Sequence, residues 1–158
     1  MWGLMIICYF CMIVSLFLMM ITGFQGYYQF MIIKATHQQF ALLSTIFYMF
    51  TETLVMFYFI GSGTAIKKEI FSMNINPNYY EKVKKTKMKL FPHLTLNMFL
   101  IGTVFVLGGA VQRGSVSGLT HGILFYFSFI HFLYTLLIQH CGFKENIDVI
   151  VKIADLNK

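Results

Sequence analysis

Charge is the scarcest resource in this chain. Aspartate, glutamate, lysine and arginine make up 11% of its 158 residues, against 58% hydrophobic ones, and the mean hydropathy is +0.70. Soluble domains carry about a quarter charged residues, so this composition points away from a water-soluble fold. Cysteine is rare too. Cys8, Cys11 and Cys141 are the only three, and with two of them inside one apolar run they make no disulfide framework. Their C-x-x-C spacing suits small sulfur-bearing side chains at helix contacts better than redox or metal chemistry. Catalytic signatures are missing as well. The chain has no P-loop, no G-x-S-x-G, no H-E-x-x-H and no long acidic cluster, so hydrolysis and nucleotide chemistry have no visible apparatus and no catalysis by the chain on its own is expected.

What is present is apolar sequence in four runs, at about 2–22, 38–62, 94–111 and 119–140. Each is near the ~20 residues that a helix needs to cross ~30 Å of hydrocarbon. The expected fold is all-α: one membrane domain over 1–158, an integral four-helix bundle whose short connections run the helices up and down. The first run lacks a basic n-region and an A-x-A site, which makes it a retained helix with Trp2 as an interface anchor. Residues 23–36 mix Phe24, Tyr27, Tyr28 and Phe30 with Gln25 and Gln29, a composition that predicts a short helix on the membrane surface.

Residues 64–93 hold seven lysines against Glu69 and Glu81. By the positive-inside rule this loop faces the cytoplasm, or the matrix of an organelle, which puts both termini inside and the chain in a bacterial inner membrane or an organelle inner membrane. The spacing predicts an interfacial helix here, opening after Pro77 and ending before Pro92. Its lysines suit topology signalling first and anionic lipid second; without an aromatic platform, nucleic acid is not an expected partner. The tail 141–158 predicts a C-terminal amphipathic helix, with Ile147, Ile150, Val151 and Ile153 on its apolar side.

The ionisable residues inside the apolar runs are the candidate site. Glu52 lies near the middle of the second run, on a stripe with His37, Ser44, Tyr48 and Thr51, and an intramembrane carboxylate is a functional candidate by default. The fourth run has a matching stripe of His121, Ser128, His131, Thr135 and Gln139. Topology puts His37 and His121 at the outer end, where Gly108, Gly109, Gly118 and Gly122 clear space. Those two histidines are the expected ligands of a metal centre, a b-type haem, with Gln38 and Thr120 the nearest acceptors in sequence to orient their rings. Tyr48, Glu52 and His131 are the expected proton or ion path, with a Glu52–His131 contact within reach of helix tilt. His93 and His140 read as interfacial residues.

Three functions stay open on these residues: an electron-transfer anchor, a proton or ion translocator, and a cofactor-free accessory subunit. All but the second presuppose other membrane subunits as partners. In size, helix content and histidine placement the chain resembles the small haem-bearing anchors of succinate dehydrogenase-type complexes. The likeness is one of layout and not of motif residues, and it implies an electron-transport role in a membrane complex.

Overall fold

The computed structural model describes residues 2–32 and 34–156. Four helices account for nearly all of them: α1 (Trp2–Tyr28), α2 (His37–Ser72), α3 (Asn78–Gln112) and α4 (Gly118–Asp155). All four are long and apolar enough to cross a membrane. Cross-helix pairs give their directions. Ser15 bonds Thr51 and Thr22 bonds Ser44, so α1 and α2 run in opposite senses. Tyr48 meets Asn97 while Gly63 lies against Lys87, which reverses α3 against α2; Thr86 meets Glu145 and Asn97 meets His131, which reverses α4 against α3. Polar contacts inside the bundle are the expected glue, because lipid chains are as apolar as leucine and supply no hydrophobic drive for helices to associate.

The helices are longer than the apolar runs. At 1.5 Å per residue α2, α3 and α4 each exceed ~50 Å, well beyond ~30 Å of hydrocarbon. The surplus is all at one end. There Ile66 and Ile70 of α2, Val83 of α3, and Val149 and Ile153 of α4 form a core of their own that no α1 residue enters. The polar segments expected as separate surface helices are therefore the ends of the long apolar helices, packed into a three-helix extension.

Several boundaries change accordingly. The interfacial helix expected within 64–93 does not exist as a unit, because α2 continues through Gly61, Ser62 and Gly63 to Ser72. Ser62 and Gly63 are buried, and an added Cβ on Gly63 would stand 2.9 Å from Lys87 Nζ, so these small residues admit α3 and do not loosen the helix. The turn comes later, at 73–77, where Asn74 takes a positive φ of 51° and the Asn76 side chain accepts from Asn78 N. Nor does α3 stop before Pro92, which lies inside it. Proline removes one N–H, yet the ring lies on the exposed side while Leu90 and Leu94, fully buried, hold the opposite face in the core. Packing there outweighs the lost bond. The expected amphipathic tail is the last third of α4, with Val149 and Ile153 inward and Val151 outward.

At the other end, the surface helix expected in 23–36 is also absent: α1 itself runs to Tyr28, and an irregular link follows. Gln29 and Lys34 have positive φ. Buried Gln25 ties the link down by donating from Nε2 to the carbonyls of Phe30 and Ala35, both at 2.9 Å.

Candidate functional site

α2 and α4 each begin with a cap and then a histidine. Gln39 Oε1 accepts from Thr36 N at 3.0 Å as α2 opens at His37. Ser117 Oγ accepts from Thr120 N at 3.1 Å as α4 opens, with His121 next. Each ring then lies against a glycine of the preceding helix. A Cβ on Gly26 would be 3.0 Å from His37 Cε1, and one on Gly108 would be 3.3 Å from His121 Cε1. The Thr22 backbone lies near the His37 ring and the Val104 backbone near that of His121, in each case four residues before the glycine. Nδ1 of both rings is buried with no hydrogen-bond partner. Gln38 and Thr120 do not take the orienting role expected of them: the Thr120 hydroxyl bonds Ser117, and the backbone of Thr22 and Val104 lies near the rings. Of the four glycines expected to make space, only Gly108 touches a histidine; Gly109, Gly118 and Gly122 face nothing within 4 Å.

This likeness extends along the helices. A single constant shift in sequence carries His37 onto His121, Ser44 onto Ser128, Tyr48 onto Phe132, Thr51 onto Thr135 and Phe59 onto Phe143. From Ser44 and Ser128 onward the members of each pair are buried in both helices. A slightly shorter shift carries Cys8, Met12, Ser15, Met19 and Thr22 of α1 onto Leu90, Leu94, Asn97, Ile101 and Val104 of α3, again all buried, and Gly26 onto Gly108. The chain is thus two similar helical hairpins, and the two histidine–glycine contacts occupy equivalent places. The repeat is legible in the sequence through the spacing H-x6-S-x6-T, present in both α2 and α4.

Deeper in the bundle the hairpins differ, and the differences are polar. His131 stands where α2 has Phe47, Asn97 where α1 has Ser15, Glu52 where α4 has Leu136, and Gln139 where α2 has Val55. Asn97 Nδ2 donates to Tyr48 Oη at 2.7 Å, and His131 Nδ1 donates to Asn97 Oδ1 at 2.8 Å. Tyr48 and His131 are thereby joined, with Asn97 as a link that residue-by-residue reading does not assign. Glu52 belongs elsewhere. The expected contact with His131 is not made, because Gln139 Nε2 donates to Glu52 Oε2 instead. Depth accounts for the difference: on α4, His131 is level with the start of the Tyr48 turn, and Gln139, two turns further on, is level with Glu52.

His93 is a second residue that sequence reading misses. Its ring centroid lies 5.7 Å from that of His131 and 5.3 Å from that of Tyr134, forming a half-exposed cluster beside Asn97. The available signal is its i, i+4 spacing to Asn97. His140, expected as an interfacial residue, has its Nδ1 2.9 Å from Tyr9 Oη. Cys8 and Cys11 are buried free thiols, and Cys8 packs in the apolar core with Met5, Met12 and Val55. Among the described residues no group of three or more histidine, cysteine or acidic side chains is placed to hold a metal ion, so any centre at His37 and His121 rests on two protein ligands.

No family model matches this chain, and neither a curated protein nor a solved structure is similar to it.

Proposed function

We propose that the chain is an integral-membrane subunit of a larger membrane complex, an electron-transfer anchor in which His37 and His121 hold a b-type haem. One observation carries this reading: two equivalent hairpins each present a histidine at the same end of the bundle, and each ring keeps a buried Nδ1 without a partner. A ligating imidazole characteristically offers one nitrogen to the metal while the other meets a carbonyl, and the nearby backbone of Thr22 and Val104 would supply that acceptor. The haem would supply one-electron chemistry. The protein's part is to fix both rings against glycine backbone and to surround them with apolar side chains.

The remaining features of the reading follow from charge and surface. The lysines of 64–93 fall on the three-helix extension, and their excess supports an inner placement of that end, with both termini inside a bacterial or organelle inner membrane and anionic lipid nearby. Large apolar side chains such as Phe10, Phe17, Phe50, Phe57, Phe99 and Phe127 are exposed around the helices, a surface suited to lipid and to neighbouring subunits.

The experiment is spectroscopic. Protein extracted with its partners in mild detergent should show a Soret band, and His37→Ala and His121→Ala should each abolish the same signal while His140→Ala leaves it. A colourless, metal-free wild type that retains its partners would end the haem reading.

The Tyr48–Asn97–His131 chain and buried Glu52 favour a second reading, a proton or ion translocator. Proton flux from liposomes that is lost in Glu52→Gln would select it.

A further inference from the structure

Glu52 of α2 and Gln139 of α4 are both completely buried. The amide Nε2 of Gln139 donates to Glu52 Oε2 at 2.5 Å. The other oxygen of each side chain, Glu52 Oε1 and Gln139 Oε1, is buried with no hydrogen-bond partner. No lysine, arginine or histidine pairs with Glu52 among the described residues. The nearest polar neighbours on α2 are engaged elsewhere, Tyr48 by Asn97 and Thr51 by Ser15.

As an ion, Glu52 would be a charge in an apolar interior with one donor and no cation, a strongly disfavoured state. The Gln139 amide oxygen would also go unsatisfied, a further penalty. Two orphaned acceptors on side chains already joined by one hydrogen bond have one simple remedy. A hydrogen on the carboxylate oxygen turns it into a donor to the amide oxygen.

We propose that Glu52 and Gln139 form a buried proton-binding site. Glu52 is the neutral carboxylic acid; its O–H, on Oε1, donates to Gln139 Oε1, while the Gln139 amide donates back to Oε2, closing a ring of two hydrogen bonds between acid and amide. No bond other than the acid's O–H is made, and the proton comes from water. A metal cation would need several more oxygen ligands than these two orphans provide. The repeat supports a dedicated role. At the equivalent place the hairpins set Leu136 and Val55, so packing of the bundle does not require a polar pair there. This inference is independent of haem at His37 and His121. It also differs from translocation, since a proton in a closed ring is held, and no hydrogen bond links the pair to the Tyr48–Asn97–His131 chain.

The test is infrared spectroscopy of the purified full chain in lipid vesicles at neutral pH, with thermal unfolding alongside. The wild type should show the carbonyl stretch of a protonated carboxyl, and Glu52→Gln should lose it. Because two amides can form the same double hydrogen bond, Glu52→Gln should unfold at the wild-type temperature. The double swap Glu52→Gln with Gln139→Glu should regain the band. A folded wild type without the band overturns the proposal, as does a marked loss of stability in Glu52→Gln. So does a wild-type unfolding temperature that falls when sodium in the buffer is replaced by choline, which would make a cation the occupant. Should the swap fail to fold, the difference spectrum of wild type and Glu52→Gln decides alone.

Discussion

His37 Cε1 sits 3.0 Å from the point where a Cβ on Gly26 would stand. The last turn of α1 thus needs glycine for a neighbour's sake and not for its own backbone, which is helical. His121 repeats the relationship with Gly108 at 3.3 Å. A methyl group at either glycine would crowd the ring away from the backbone beside it.

Glycine-to-alanine exchange therefore separates two kinds of glycine in one molecule. In an open helical position alanine stabilises by roughly 0.5–1 kcal/mol. Gly122 faces nothing within 4 Å, so Gly122→Ala should raise the unfolding temperature slightly and leave any spectral signal alone. Gly26→Ala and Gly108→Ala should forfeit that gain and weaken or shift the signal of a centre at the histidines. Three variants that behave alike in thermal scans and spectra would show that the ring contacts do not matter.

Asn97 is the hinge of the second polar set. Replacing it with leucine strands the Tyr48 hydroxyl, which is fully buried, and removes the partner of His131 Nδ1. The expected loss is about 1–3 kcal/mol for the orphaned group, toward the lower end because hydrogen bonds in membrane bundles are modest. Tyr48→Phe alone should cost less, and Tyr48→Phe combined with Asn97→Leu should recover part of the Asn97→Leu loss. Unfolding in graded denaturing detergent measures all three, and strict additivity would deny the coupling.

The four helices are legible in the sequence because an apolar run near ~20 residues suits a membrane-crossing helix and little else. Their full lengths are not, since the lysine-rich ends of α2 and α3 have the composition of a loop and become helical by packing Ile66, Ile70 and Val83 against Val149 and Ile153. Pro92 misleads for a related reason: a local rule about backbone donors yields to the burial of Leu90 and Leu94 on either side. The polar stripes put Tyr48, Glu52 and His131 on inward faces, and the structure buries Tyr48 and Glu52 fully. Pairing is beyond the reach of a stripe, because a partner is set by the relative heights of two helices. Only the hairpin geometry brings Gln139 rather than His131 to Glu52.

Orientation can be read from outside. If the lysine-bearing extension lies inside, a tag placed after residue 75, in the turn between α2 and α3, should be protected in intact cells, and a tag at residue 115, between α3 and α4, should be accessible. The opposite pattern would invert the side assigned to both histidines while leaving their geometry untouched.

The repeat makes the last expectation. Each hairpin contains two helices long and apolar enough to cross a membrane, so each half can insert before the halves meet. Their interface carries its own specificity: Tyr48 to Asn97 between α2 and α3, Glu52 to Gln139 and Asn146 to Tyr58 between α2 and α4, and Tyr9 to His140 between α1 and α4. The backbone bonds at the 73–77 turn are local, such as Ile75 N to the Ile70 carbonyl and Asn78 N to the Asn76 side chain, and Ile75 is its one side chain packed on the core of the extension among the described residues. Two fragments divided there and expressed together should copurify and reproduce the far-ultraviolet helicity of the intact chain. Asn97→Leu in the second fragment should weaken capture of the first, and a fragment pair that inserts but never associates would show that the covalent turn, and not the polar interface, holds the hairpins together.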